Sequence, residues 1–251
     1  MASMSSKVAV QSVSKTFESD RQRVTALTEV SFSITQGEFV CIVGPSGCGK
    51  TTLFRIIAGL EAPTTGAVSI DGNQIDGPGT DRGMVFQNYG LFPWRTVRAN
   101  VRFGLEQQEL SDNARQTRVQ DMLSLVGLEE FADAYPKELS GGMKQRVGIA
   151  RALAVRPEIL LADEPFGSVD AQTRDNLHEE LLDIWTETQK TILFVTHDIE
   201  EAVTLSDRVI VMSANPGRIQ EIVSVDISRP RSRSDVAFGE HVERIRRMIG
   251  E

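Results

Sequence analysis

The segment of this sequence best suited to chemistry is a glycine-rich run that ends in a lysine and two threonines. It reads Gly44-Pro45-Ser46-Gly47-Cys48-Gly49-Lys50-Thr51 and matches the pattern G-x-x-x-x-G-K-[ST]. Its glycines let backbone N–H groups converge on an anion, and a helix beginning near Lys50 adds its positive dipole end. Lys50 can neutralise β- and γ-phosphate oxygens, the Thr51 hydroxyl can ligate Mg²⁺, and Thr52 can donate a further hydrogen bond. The pattern predicts a nucleoside triphosphate site.

Two acidic residues follow an apolar segment further along the chain. Ile159 to Ala162 is apolar, and Asp163 and Glu164 come directly after it. Asp163 is placed to hold Mg²⁺ directly or through water, and Glu164 is the candidate to polarise the attacking water. Alone, such a pair is as often an ordinary strand end with a solvated turn. Together with the phosphate loop, it indicates triphosphate hydrolysis.

Two further polar residues follow predicted strands. His197 comes after the buried segment Thr191 to Val195, and Gln87 comes after Gly83 to Phe86. The carboxyl ends of parallel strands form the edge at which ligands bind. His197 is therefore predicted to contact the γ-phosphate or orient the water, and Gln87 to reach the magnesium ion or the water. Gln87 could report that contact to the segment that follows it.

A second candidate anion site opens a predicted helix. Ser140, Gly141 and Gly142 stand at its start, where a serine can cap the helix and glycines leave backbone N–H groups accessible. The alternative interpretation is a capped helix start with no ligand. Local residues alone leave both interpretations open.

The elements that must position these residues fall into three parts. The first 86 residues are predicted as short strands and turns, residues 88–156 as a helical insertion, and the remainder as buried strands alternating with helices, which implies a parallel sheet covered on both faces. The predicted strands are Val8–Val13, Val30–Ile34, Glu38–Val43, Ala67–Ile70, Gly83–Phe86, Glu158–Ala162, Thr191–Val195, Arg208–Met212 and Arg218–Val225. The predicted helices are Thr51–Gly59, a helix capped by Ser111, Leu128–Phe131, Met143–Val155, Asp170–Thr188 and Ile199–Leu205.

Composition excludes several classes of protein. The 251 residues are 40% apolar with a net charge of −8, which is typical of a globular protein and argues against a dedicated nucleic-acid binder. No apolar run approaches the roughly 18 residues that span a bilayer, and the start of the chain does not resemble a secretion signal. Cys41 is expected to be a small buried residue rather than a zinc ligand. Arg229 to Asp235 is predicted to be a solvated connector, with contact to acidic lipid head groups as the alternative.

The order of these motifs resembles that of the nucleotide-binding subunit of ATP-binding cassette (ABC) transporters. Leu139 to Met143 is similar to the family's signature loop, Gln87 to its Q-loop, Asp170 to its D-loop aspartate and His197 to its switch histidine. Phe17 matches the aromatic residue that stacks on adenine. The resemblance covers about residues 7–225.

The resemblance implies one ABC ATPase domain of the α/β class over residues 1–251. It would have a P-loop NTPase (RecA-like) core with an N-terminal antiparallel β-subdomain, formed by residues 1–87 and 157–251, and an inserted α-helical subdomain over residues 88–156. The implied catalytic residues are Glu164, His197, Lys50 and Gln87. The implied Mg²⁺ ligands are Thr51, Gln87 and Asp163. The implied ATP contacts are Phe17, Gly44 to Thr52, Ser140, Gly141, Gly142 and Asp170.

The resemblance also implies partners. Two copies of the chain would form a head-to-tail dimer with two ATP molecules between them, and Ser140 and Gly142 of one copy would face the phosphates held by Lys50 and Thr51 of the other. The dimer would bind two transmembrane permease subunits at the cytoplasmic face of the membrane as a peripheral protein, and act indirectly with an extracellular solute-binding protein. No nucleic-acid partner is expected.

Some residues resemble one branch of the family. The run Leu91-Phe92-Pro93-Trp94, the signature continuation Met143 to Arg146 and Pro216-Gly217-Arg218-Ile219 are similar to the importers of nitrate, sulfonates, taurine and bicarbonate. Phe92 and Trp94 either pack the helical insertion or line a groove for a membrane subunit. The sequence departs from the family at two places. Met143 stands where the family has glutamine, and Ser168-Val169 precedes Asp170 where the family more commonly has Ala-Leu. The alternatives to an importer are an exporter ATPase and a soluble ABC ATPase acting on nucleic acid or the ribosome.

Overall fold

The computed structural model describes residues 6–19, 22–167 and 169–250, and the chain divides into two compact units. The first unit contains the chain up to Gly79 and again from Lys190 onward, and the second contains residues 80–189. Ser168, one of the residues in which the sequence departs from the family, lies outside the described residues. Among the residues that are described, no helix has both the length and the apolar character needed to cross a membrane.

Strands and helices alternate along much of the described chain. The strands are β1 (Ser6–Ser19), β2 (Gln22–Thr35), β3 (Phe39–Val43), β4 (Thr65–Ile70), β5 (Asn73–Gln74), β6 (Arg82–Phe86), β7 (Ile159–Asp163), β8 (Thr191–Val195), β9 (Arg208–Ser213) and β10 (Arg218–Ser224). The α-helices are α1 (Lys50–Ile57), α2 (Val97–Arg102), α3 (Asp112–Leu125), α4 (Gly141–Ala154), α5 (Ala171–Thr188), α6 (Ile199–Leu205) and α7 (Val236–Ile249). Short 3-10 helices occupy residues 103–107, 129–131 and 136–138.

Two sets of strands build the first unit. The antiparallel set has the order β2-β1-β4-β5, in which β1 pairs with both β2 and β4. In the other set, β3 lies between β8 and β9 and is parallel to both, while β10 runs antiparallel to β9. All five residues of β3 and of β8 are buried. This burial explains why both strands are continuous apolar runs in the sequence, since parallel strands are covered on both faces.

The second unit combines a parallel strand pair with helices. β6 and β7 pair in parallel along their full length, and α4 packs against β6, α2 and α3. The cap predicted for α3 is confirmed, because the Ser111 hydroxyl accepts a hydrogen bond from the Ala114 N–H at 3.2 Å. The helical insertion predicted over residues 88–156 lies inside this unit, and its exact limits stay a prediction.

The first cysteine has the predicted environment. Cys41 is fully buried on β3 and carries a free thiol, and burial raises its pKa well above the usual value. Cys48 is also buried and free. No group of three or more histidine, cysteine or acidic residues that could hold a metal ion occurs among the described residues.

Helices α2 and α7 were not predicted from the sequence. The first has only six residues, too few for a clear periodic pattern. The second buries Phe238, Val242 and Ile245, which are spaced by four and three positions as one face of a helix requires. It packs against α6 and β9. That spacing is a signal in the sequence that could have identified α7.

The interpretation of Arg229 to Asp235 as a solvated connector is wrong for two of its arginines. Arg229 and Arg231 donate hydrogen bonds to groups around the end of α6, and burial together with the neighbouring Arg229 charge lowers the pKa of Arg231 to about 10. The acceptors are the carbonyl oxygens of Val203, Thr204, Leu205, Ser206, Val225 and Ile227 and the carboxylate of Asp207. These guanidinium groups are therefore bound by carbonyl and carboxylate oxygens of the chain itself.

Replacing Arg231 with alanine should lower the free energy of unfolding by about 2–4 kcal/mol, because several carbonyls lose a charged donor. Urea denaturation measures the loss. Arg233→Ala is the matched control, since Arg233 pairs with Glu200 at 3.4 Å and both side chains are about half exposed. The control should cost less than about 1 kcal/mol. Equal losses for the two variants would contradict the role assigned to Arg231.

Candidate functional site

The predicted phosphate loop connects β3 to α1 in the first unit. Gly49 is the residue immediately before α1 and has φ 88°, and Gly47 has φ 79°. Both values lie in the left-handed region that favours glycine. Ser46 and Gly47 are exposed, whereas Gly44 and Cys48 are buried. The loop therefore presents its middle to solvent at the N-terminus of a helix, which is the arrangement that binds phosphate.

Lys50 lies over this loop. The side chain is largely buried, and its Nζ atom donates to the carbonyl oxygen of Gly44 at 2.6 Å and to that of Pro45 at 3.3 Å. Thr51 is exposed and Thr52 is half-buried at the start of α1. The ammonium group and the Thr51 hydroxyl are thus on the part of the chain where the sequence predicts phosphate and Mg²⁺.

His197 lies at the same end of the strand set as the phosphate loop. β3 and β8 are parallel with Ile42 opposite Val195, so both strands have their carboxyl ends at one edge. His197 is exposed two residues after β8. Its neighbour Asp198 caps α6, because its carboxylate accepts from the Glu201 N–H at 3.1 Å. The capped helix start holds the backbone on which His197 stands.

Phe17 presents an exposed ring on β1. The side chain is 43% exposed, and the Nζ atom of Lys15 lies 4.9 Å from the ring centroid. Lys15 in turn forms an ion pair with Glu61 at 2.6 Å and donates to the Ala62 carbonyl oxygen at 2.8 Å. This anchored cation fixes one side of the ring while leaving ring surface accessible. The arrangement suits the stacking role predicted for Phe17.

The second unit brings Gln87, Asp163 and Glu164 together. β6 and β7 are parallel with Phe86 opposite Asp163, so Gln87 follows at the same end of the pair as the two acids. A Cβ atom built on Gly167 would lie 2.9 Å from the Gln87 Nε2 atom and 3.4 Å from the Glu164 carbonyl oxygen. Glu164 has φ 44°, a conformation that is uncommon for a residue with a side chain. Such outliers cluster at functional sites.

The predicted second anion site is a capped helix start in the second unit. The Ser140 hydroxyl accepts from the Met143 N–H at 3.2 Å, which makes Ser140 the N-cap of α4. A Cβ atom on Gly141 would lie 3.2 Å from the Tyr89 Oη atom, and one on Gly142 would lie 3.1 Å from Thr173 Cγ2. The two glycines therefore allow close approach of neighbouring side chains to the start of the helix.

Asp170 caps α5 beside this helix start. One carboxylate oxygen accepts from the Thr173 N–H at 3.0 Å and the other from the Thr173 hydroxyl at 2.7 Å. These two hydrogen bonds lower the pKa of Asp170 below its usual value. Thr173 also approaches Gly142, so the structure places Asp170 near the glycines at the start of α4, which the sequence does not show.

Sequence reasoning missed the contact between the Gln87 segment and α4. The Arg151 guanidinium donates to the Gly90 carbonyl oxygen at 2.6 Å and to that of Tyr89 at 3.1 Å. Tyr89 and Gly90 both have positive φ, 58° and 59°. Arg151 therefore ties the turn after Gln87 to the helix that begins at Ser140. No local pattern reveals a contact between residues about 60 positions apart in sequence.

Known proteins resemble this chain over most of its length. The sequence profile described as ABC transporter matches residues 27–167. The nitrate import ATP-binding protein NrtD of Synechocystis sp. is 52% identical over 218 residues, which cover 87% of this chain and 82% of that protein. The bicarbonate transport ATP-binding protein CmpC of Synechococcus elongatus is 52% identical over 237 residues, which cover 93% of this chain and 36% of that protein.

A solved structure is also similar. It is described as a dimeric structure of a post-hydrolysis state of the ATP-binding cassette MJ0796 bound to ADP and Pi. The TM-score is 0.75 and the sequence identity 35%, with 88% of this chain and 100% of the other covered. The predicted α/β cassette fold is confirmed.

Replacing Ser140 with alanine should lower the free energy of unfolding by about 1 kcal/mol, because the Met143 N–H loses its cap. Ser140→Asp should preserve stability, since aspartate caps a helix as well as serine does. Urea denaturation of both variants measures the effect. A chain that loses no stability on Ser140→Ala would contradict the assigned cap.

Proposed function

The chain belongs to the ABC transporter family, and on that premise we propose that it is the ATP-hydrolysing subunit of an importer that takes up a small solute across the cytoplasmic membrane. The observation that carries the proposal is the loop from Gly44 to Gly49, with its left-handed glycines and a buried Lys50 at the start of α1. A loop of this geometry is built to bind the phosphates of a nucleotide. The family match makes ATP the nucleotide.

The named relatives support import but do not select the solute. NrtD is named for nitrate and CmpC for bicarbonate, yet each is 52% identical to this chain. We propose a solute of the class that includes nitrate, bicarbonate, sulfonates and taurine. Equal identity to two subunits with different solutes fits a subunit that supplies energy and leaves recognition to other components.

Hydrolysis is assigned to side chains at the carboxyl ends of buried strands. Glu164 polarises a water molecule for in-line attack on the γ-phosphate, and His197 orients that water or contacts the phosphate. Lys50 stabilises the charge that develops on the phosphate oxygens. Phe17 stacks on the adenine ring.

The residues present fit a magnesium ion that takes most of its ligands from phosphate and water. The Thr51 hydroxyl is exposed, Asp163 is a half-buried carboxylate, and Gln87 is an exposed amide. Mg²⁺ characteristically uses one or two protein ligands beside substrate phosphates. When bound, the ion neutralises charge on the β- and γ-phosphates.

The second wall of each ATP site is assigned to another copy of the chain. The similar cassette structure is dimeric and bound to ADP and Pi, which supports pairing. We assign Ser140, Gly141 and Gly142 of one copy to the phosphates held by Lys50 and Thr51 of the other, with Asp170 at the same interface. The helix start at Ser140 offers free N–H groups and a positive dipole end to an anion.

A partly exposed aromatic cluster is assigned to the permease. Trp94 is 71% exposed and its ring centroid lies 5.6 Å from that of Phe92, which lies 4.5 Å from that of Phe103. The Cζ atom of Arg95 lies 4.9 Å from the Phe103 ring centroid. Exposed aromatic and arginine side chains are enriched where proteins bind partners. Two permease subunits at the cytoplasmic face of the membrane, acting with an extracellular solute-binding protein, complete the proposed importer.

Replacing Glu164 with glutamine should lower ATP turnover at least about a hundredfold while preserving ATP binding, because the amide cannot accept the water's proton. Phosphate release measures turnover, and sedimentation in the presence of ATP should show an accumulated dimer. Turnover at the rate of the unsubstituted chain would contradict the assignment of Glu164.

Mixing two inactive variants tests the shared site. Lys50→Ala and Ser140→Asp should each abolish hydrolysis, the first by removing the phosphate cation and the second by placing a negative charge against the phosphates. A mixed dimer contains one site with both natural residues, so the mixture should recover up to about a quarter of the unsubstituted rate. The control is each variant assayed alone, because every dimer then carries the same substitution in both copies. A mixture that remains as inactive as its components, while still forming mixed dimers, would contradict pairing of Lys50 with the other copy's Ser140.

A further inference from the structure

The hairpin formed by β9 and β10 contacts the phosphate loop at two places. A Cβ atom built on Gly44 would lie 2.6 Å from the carbonyl oxygen of Met212, near the end of β9. A Cβ atom on Gly217, just before β10, would lie 2.1 Å from the carbonyl oxygen of Cys48. The start of the loop therefore packs against the backbone of β9, and the end of the loop packs against Gly217 in the same hairpin. Gly217 belongs to the motif Pro216 to Ile219, for which the proposed function assigns no role.

Strand β2 holds Gly217 in this position. The Gly217 N–H donates to the Ala26 carbonyl oxygen at 3.0 Å, and the Thr28 N–H donates to the Gly217 carbonyl oxygen at 2.9 Å. Leu27 is fully buried, and its Cδ2 atom lies 2.6 Å from where a Cβ atom of Gly49 would be. We call Ala26, Leu27, Thr28 and Gly217 the loop brace. It contacts the two residues, Cys48 and Gly49, at which the loop turns into α1.

The contact between Gly217 and the Cys48 carbonyl determines where the N–H group of Gly49 points. The peptide bond between Cys48 and Gly49 is planar, and in a trans peptide the C=O and the N–H point in opposite directions. Because the Cys48 carbonyl faces Gly217, the Gly49 N–H points away from the brace. Rotating this peptide plane would move that N–H together with the carbonyl. The brace thus controls the direction of an N–H group in the loop.

We propose that Gly217 is a positioning residue for ATP, and that the loop brace aims the amides of the phosphate loop by fixing the Cys48–Gly49 peptide plane. The inference rests on the proposed function. A side chain on Gly217 would collide with the Cys48 carbonyl and with that of Ala26, 2.7 Å away, so the peptide plane must turn or the brace must open. Either movement misdirects a donor that binds phosphate in the ground state and in the transition state alike.

Gly217→Ala should therefore raise the KM for Mg-ATP about tenfold to a hundredfold with kcat changed less than about threefold, because the lost contact exists before and during the reaction. Direct titration with Mg-ATP in the Glu164→Gln background should show the same loss of affinity. Thermal unfolding of each variant gives its stability, and the kinetic measurements are made well below the transition.

Two other glycines supply matched controls. Gly77→Ala adds a Cβ atom that meets nothing within 4 Å, and should leave KM unchanged. Gly66→Ala creates a comparable backbone collision, 2.4 Å from the carbonyl oxygens of Gln11 and Ser12 in the antiparallel sheet, where Gly66 has φ 82°. It should lower stability without raising KM. A KM of Gly217→Ala within about twofold of the Gly77→Ala value, or an equal rise in Gly66→Ala, would overturn the proposal.

A second pair of variants applies if Gly217→Ala does not fold. Leu27→Ala removes the brace side chain that packs on Gly49, and Val30→Ala removes a fully buried side chain further along the same strand. Only Leu27→Ala should raise KM, by about tenfold, and speed hydrogen exchange at Gly49 and Lys50 relative to β3. Equal KM values for these two variants would overturn the proposal. An unsubstituted chain that binds no ATP would instead overturn the proposed function.

Discussion

Support of the phosphate loop in one backbone conformation is the constraint on which the rest of this structure depends. A chain does not adopt such a loop by local preference alone, because Gly47 and Gly49 both have left-handed conformations and a glycine-rich segment has many other conformations open to it. It must be held from behind by something rigid. In this chain the fully buried strand β3 leads into the loop, and Leu27 and Gly217 contact its far end. This support requires close approaches at Gly44, Gly49 and Gly217, where a Cβ atom would collide with its neighbours.

Helix starts capped by a side chain occur at three of the proposed functional segments. Ser140 caps α4, Asp170 caps α5, and Asp198, next to His197, caps α6. An N-cap residue satisfies one N–H group of the first turn and leaves the others to neighbours, solvent or a ligand. The same geometry therefore stabilises the helix and exposes donors to an anion. Because one geometry serves both purposes, the local sequence could not distinguish a plain helix cap at Ser140 from an anion site.

Strands β3, β7 and β8 were predicted to within a residue, and the reason is their burial. A strand covered on both faces is a continuous apolar run, and the polar residues that follow it stand at the edge of the sheet, so Asp163 and His197 could be identified together with their strands. Arg151, Arg231 and Gly217 could not be identified in this way. Their roles depend on carbonyl groups that become neighbours only after folding, and backbone carbonyls leave no mark in the sequence. Arginine is also usually exposed, which makes a solvated connector the expected interpretation of Arg229 to Asp235.

The brace changes what the motif Pro216 to Ile219 can indicate. In the sequence it resembles a mark of one importer branch. The structure gives Gly217 a physical reason that is independent of the solute, since only a residue without a Cβ atom fits beside the Cys48 carbonyl. Any ATPase that holds its phosphate loop in this way needs a glycine at this place, whatever it transports. The need for glycine at this place therefore follows from nucleotide binding. The proposed solute class depends instead on the named relatives and on the remaining branch residues, such as the exposed Trp94.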